Sequence, residues 1–110
     1  MKGKLMAIKF DGTEVKDGFK VIGNMKRTDE LKEGSSSGGK TIGNIKRSNE
    51  VKAGSSSGGK TLCNIHDGKY IRDGSSRGGR QLIKISDAAK AIGSSSHGPS
   101  TALVWWFFGK

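Results

Sequence analysis

KTIGNIKRSNEVKAGSSSGG, residues 40–59, is one of four consecutive 20-residue segments that lie in register along the chain. The others are KVIGNMKRTDELKEGSSSGG (20–39), KTLCNIHDGKYIRDGSSRGG (60–79) and RQLIKISDAAKAIGSSSHGP (80–99). Ile22, Ile42, Leu62, Leu82 and Ala102 recur at that period. So do Met25, Ile45, Ile65, Ile85 and Trp105, and so do Leu31, Val51, Ile71 and Ala91. Asn24, Asn44 and Asn64 share a further column. Towards the start, Leu5, Ile8 and Val15 fill the three apolar columns after small shifts, and the Ser-rich loop shrinks to Asp17-Gly18.

Each unit reads as strand, turn, strand, loop. The first strand is IGNI-like and rich in β-branched residues, which suit a pleated surface. Asp11-Gly12 and Asp67-Gly68 are tight-hairpin signals, because Gly accepts a positive φ without a Cβ clash. The short second strands are ELK, EVK and YIR, and GSSSGG returns the chain. The spacing predicts no helix: Gly interrupts every window of apolar i, i+3, i+4, i+7 recurrence. The best helical candidate, residues 87–91, is too short to stand alone.

A 20-residue unit cannot bury its own apolar side, so the units must share a core, as a β-solenoid or as hairpins set radially around an axis. One all-β domain over 1–110 is expected, with units near 1–19, 20–39, 40–59, 60–79 and 80–99. The apolar run 102–108, with four of the seven aromatic residues, is expected to be a strand, buried on both faces, that closes the centre. The alternative is an exposed patch, Trp105, Trp106, Phe107 and Phe108, that joins copies of the chain.

The pattern V-x-x-G-S-S-x-G-G-x-x-I-G-x-I across residues 51–65, with Cys63 at the small position, resembles the bacterial β-flower proteins. The resemblance spans nearly the whole chain. It implies a radial array of β-hairpins with four or five petals, and it carries over no activity and no functional residues.

Charge bounds the partners. The net charge is +10, and residues 40–110 supply +8 of it from 12 basic and 4 acidic side chains. A basic surface favours anionic partners. Two sets of cations are candidates for anion binding: Lys26, Arg27, Lys46 and Arg47 in the turns, and Lys40, Lys60 and Arg80 after the Ser-rich loops. Aromatic platforms for stacking bases are absent from the rim of turns, which disfavours single-stranded nucleic acid there. Asn24, Asn44 and Asn64 would form a polar ring around an axis, either bonding neighbouring backbone or lining a small pocket. One cysteine excludes a disulfide within the chain. Lys9 and Asp11 interrupt any signal-peptide core, and the apolar tail is far shorter than the ~20 residues of a membrane span. A cytoplasmic location follows as the expectation.

No catalytic constellation stands out. Residues 34–41 and 54–61 match G-x-x-x-x-G-K-[ST], but the phosphate loop needs a helix after its Lys, and TIGNIKRS and TLCNIHDG start none. Cys63-x-x-His66 supplies two ligands where structural zinc needs four. The serines and His97 sit in Gly-rich loops, poor platforms for fixed geometry. A non-enzymatic interaction or assembly module without a cofactor is the expectation, with a polyanion or a protein as partner.

Overall fold

The computed structural model describes residues 8–26, 29–36, 38–46, 49–55, 59–76 and 78–110. The strands are β1 (Ile8–Phe10), β2 (Glu14–Asp17), β3 (Lys20–Asn24), β4 (Glu30–Glu33), β5 (Thr41–Lys46), β6 (Glu50–Ala53), β7 (Thr61–Asn64), β8 (Tyr70–Asp73) and β9 (Gln81–Lys84). Among the described residues they form one antiparallel nine-stranded sheet in sequence order. Helices α1 (Ile85–Ala91) and α2 (Pro99–Val104) follow, and α2 runs into a π-helical turn, Trp105–Gly109. The architecture is mostly β, with its helices at the C-terminal end.

The sheet is shaped by one defect used four times. Val15 faces Gly23 while Lys16 faces Val21, so Ile22 has no partner opposite it. The same skip leaves Ile42, Leu62 and Leu82 as extra residues. Each is a β-bulge, which bends its strand and raises the local twist. These are the members of the first apolar column, and all four pack against the core. The bulge carbonyls of Ile22, Ile42 and Leu62 accept from the N–H groups of Gly34, Gly54 and Gly74, each at 3.0 Å. Those glycines have φ of 71°, 69° and 71°, a left-handed conformation that a Cβ would strain. The 20-residue spacing of Ile and Gly thus repeats one hydrogen-bonded kink.

The bulged sheet is filled by the C-terminus. Val15, Leu31, Val51 and Ile71 are at most 1% exposed, as are Ala102, Leu103 and Val104 of α2. Helix α2 packs against β5, β6 and β7. A Cβ on Gly43 would lie 2.5 Å from Phe107 and 2.8 Å from Leu103. Gly43 is therefore a close-approach position where the backbone meets the helix side chains. Helix α1 connects the sheet's ends: it follows and packs on β9, and its Ile92 carbonyl accepts from Phe10 N–H of β1 at 2.8 Å.

Three expectations fail here. The closing segment is a helix, not a strand. A continuous apolar run shows no period when every side is buried, so it fits either element; Pro99 at the first helical position begins this one. The fourth unit is not strand-turn-strand-loop, because α1 replaces its second strand. Ala91, placed in the Leu31 column, is exposed, and Ile92 is the buried residue. The short α1 persists because it buries Ile85, Ala88 and Ala89 and is stopped by Gly93 at φ 60°. Ser94 N–H bonds Ala89 O at 2.8 Å and Gly93 N–H bonds Lys90 O at 3.2 Å, which closes the helix end.

Candidate polyanion surface

An antiparallel meander puts alternate connections at opposite ends of the sheet. The β3–β4, β5–β6 and β7–β8 turns share one end; the Ser-rich loops share the other. The two candidate cation sets are therefore separate: Lys26 and Lys46 stand at the turn end, and Lys40, Lys60 and Arg80 at the loop end. Arg27 and Arg47 lie outside the described residues.

The cations also differ in whether they are already neutralised. Lys16, Lys32 and Lys52 each follow a buried apolar residue and lie near the Glu two positions earlier, at 3.9, 3.4 and 3.6 Å. Arg72, the fourth of this series, is 3.0 Å from Asp67. Lys32 and Lys52 also donate to Thr41 and Thr61 hydroxyls, and Arg72 donates to Gly79 O at 3.0 Å. Lys32, Lys52 and Arg72, whose side chains are mostly buried, thus hold adjacent strands together, whereas Lys16 is more exposed and pairs with Glu14 of its own strand. Lys26 is used likewise, 3.6 Å from Glu14 and donating to Ser35 O at 2.7 Å. The paired column was not among the sequence candidates, although its signal is legible in three of the four second strands: Glu14, Glu30 and Glu50 stand two residues before Lys16, Lys32 and Lys52.

At the loop end, Lys20, Lys40, Lys60 and Arg80 are all exposed. Among the described residues none of the four is in an ion pair. Three of them are fixed by the same backbone bond: Lys40, Lys60 and Arg80 carbonyls accept from Glu33, Ala53 and Asp73 N–H at 2.9–3.0 Å. Alternate strands of a sheet lie about 10 Å apart, which sets the spacing of this row. Glu33 and Asp73 are exposed at the same end, so the rim is a line of separate cations rather than a uniform field. Lys20 was not among the sequence candidates, though it opens the same column.

The Asn column serves the loops. Asn24, Asn44 and Asn64 are at most 2% exposed. Their amide nitrogens donate to Gly34 O, Gly54 O and Gly74 O at 2.8, 2.6 and 2.7 Å. Asn24 and Asn64 donate also to Ser36 O and Ser76 O. Each amide thus ties a Ser-rich loop back to its own hairpin.

Neither phosphate-loop match is followed by a helix. Thr41 and Thr61 start strands, and two amides of the first match are already used within the loop: Gly39 N–H bonds Ser36 O at 3.0 Å and Gly38 N–H bonds Ser36 Oγ at 3.0 Å. Cys63 is fully buried and burial pushes its thiol up to about 12, an unreactive state. His66 lies 3.4 Å from Glu50, and His97 is exposed. Among the described residues no three His, Cys, Asp or Glu side chains come together as metal ligands. Among them, too, no helix is long and apolar enough to cross a membrane. Trp105 is buried, and Trp106, Phe107 and Phe108 are half-buried against the core.

Asp67 shows how the turns are held. Its Oδ1 accepts from Lys69 N–H and Tyr70 N–H at 2.9 and 3.0 Å, and these bonds, with the Arg72 guanidinium, lower its pKa to about 2. A carboxylate depressed in the fold contributes stability above its unfolded value near 3.8, and loses it as pH falls towards 2. The urea midpoint is therefore expected to drop between pH 5 and pH 2, and Asp67→Asn to flatten part of that drop. An unchanged pH profile in the variant would contradict the assignment.

Comparison of the chain with protein-family models, with curated proteins and with solved structures found no match in any of the three.

Proposed function

We propose that this chain is a non-enzymatic interaction module that engages a polyanion along its loop rim. The observation that carries the proposal is the sorting of cations. Lys16, Lys32, Lys52 and Arg72 are engaged with the chain's own carboxylates. Lys20, Lys40, Lys60 and Arg80 stand exposed in one row. Free cations on a rigid frame displace the counterions of a charged polymer, which supplies binding without base-specific contacts. The tied-back loops between them give a stable surface on which sequence can vary. The radial petal arrangement of the β-flower proteins is proposed with it, supported by the fourfold recurrence of the bulge.

Fluorescence anisotropy with a labelled single-stranded oligonucleotide tests this. Four phosphate contacts predict a slope of log affinity against log salt of about −3, roughly a fifty-fold loss between 50 and 200 mM. Changing Lys40, Lys60 and Arg80 together to Glu should abolish binding while leaving the fold intact. No detectable binding of the wild type at 50 mM salt would refute the polyanion proposal and leave a protein partner.

A further inference from the structure

An open groove of about 340 Å³ lies at the turn end of β8 and β9, lined by Gly68, Lys69, Tyr70, Lys84, Ile85 and Ser86. Its walls are fixed by main-chain bonds. Tyr70 and Lys84 are cross-strand partners, and Ile85 N–H donates to Lys69 O at 2.8 Å. Asp67 locks the turn below them through Lys69 and Tyr70 N–H.

The lining is one-signed. Lys69 and Lys84 are exposed, and among the described residues neither is in an ion pair. Among the described residues no carboxylate lines the groove. The nearby charges satisfy each other: the Arg72 guanidinium holds Asp67 through two bonds of 3.0 and 3.1 Å. Arg72 also lies 5.6 Å from the centroid of the Tyr70 ring, which steadies that side chain. The groove sits in the most basic part of the chain, since residues 69–110 carry seven basic and two acidic side chains.

We propose that this groove binds a phosphoryl group. Lys69 and Lys84 supply two charges, and the hydroxyls of Ser86 and Tyr70 supply neutral donors. That set suits a tetrahedral dianion with several acceptor oxygens better than a singly charged, planar carboxylate. The inference rests on the polyanion proposal for the sign of the ligand's charge only, and it names a second site, at the opposite end from the loop rim. The phosphoryl group comes either from a nucleic-acid strand or from a free phosphate.

The test is a titration of the ¹⁵N-labelled chain, followed by amide NMR, with inorganic phosphate at constant ionic strength. Saturable shifts are expected at residues 68–70 and 84–86. Lys84→Gln should weaken the apparent affinity about tenfold, and Lys69→Gln similarly, while Lys40→Gln leaves it unchanged. In a second arm a single-stranded oligonucleotide replaces phosphate. Groove shifts in both arms identify strand phosphate as a source; shifts with phosphate alone identify the free anion; either outcome supports the site. Non-saturating shifts spread over all lysines, or a Lys84→Gln variant that binds like wild type, would overturn it. The polyanion proposal fails separately, by the anisotropy measurement.

Discussion

Leu103→Ala is expected to lower the unfolding free energy by about 3–4 kcal/mol, the range for deleting a fully buried leucine where the site cannot collapse. Leu103 is completely buried in the last turn of α2, where the helix runs into the π-helical turn, and lies over Gly43 of β5. The cavity would open between the helix and the middle of the sheet. Since a domain of this size is stable by about 5–15 kcal/mol, one such loss is a large fraction of the total. Urea denaturation should show the midpoint falling by about 2 M with little change in slope. Leu103→Met should cost under about 1.5 kcal/mol, because it nearly conserves volume. Gly43→Val approaches the same contact from the other side: its Cβ meets Phe107 at 2.5 Å, and overpacking typically costs about 1–3 kcal/mol. A Leu103→Ala variant as stable as wild type would mean that α2 is not what fills the sheet.

Asn64→Ala comes second, at about 2–3 kcal/mol. The Asn64 amide donates to Gly74 O and Ser76 O at 2.7 and 3.1 Å, and its oxygen accepts from His66 N–H at 3.2 Å. Removing it takes the partner from three part-buried backbone groups at once, which costs more than the net worth of the bonds. Asn64→Asp keeps the shape but has no N–H to donate, so it should fail to rescue. Hydrogen exchange separates this from general loosening: the loop after β8 should lose protection first, well before the strands. Uniform loss of protection, or rescue by Asp, would contradict the anchoring role.

Much of this architecture was legible as period. The Ile22, Ile42, Leu62, Leu82 column was visible as an apolar repeat, and its meaning as a bulge was not, because a bulge is defined by the partner strand. Asn24, Asn44 and Asn64 were visible as a column, but whether the amides face one another or their own loops depends on how the Ser-rich segments fold back. The failures cluster after Lys84. There the repeat's chemistry changes to ISDAAKAIG, and a seven-residue helix forms only because sheet and α2 cover its apolar side.

The cation candidates divide in the same way. Counting lysines located the excess charge in residues 40–110. It did not distinguish Lys52, engaged with Glu50 and Thr61, from Lys60, exposed on the loop rim. Eight residues separate the two in sequence, and a bulge together with a loop decides which one meets a carboxylate.

What the amino-acid order alone determined here is local and periodic: short β-branched strands, turns built on Gly and Asp, and a repeat length that brings like residues to like places. Those properties follow from steric limits on each residue and need no distant partner. Tertiary structure alone decided the state of the apolar tail, the burial of Lys32 and Lys52, and which cations stay clear of the chain's own carboxylates. Each is an energy shared between segments far apart in the chain, so no single segment encodes it.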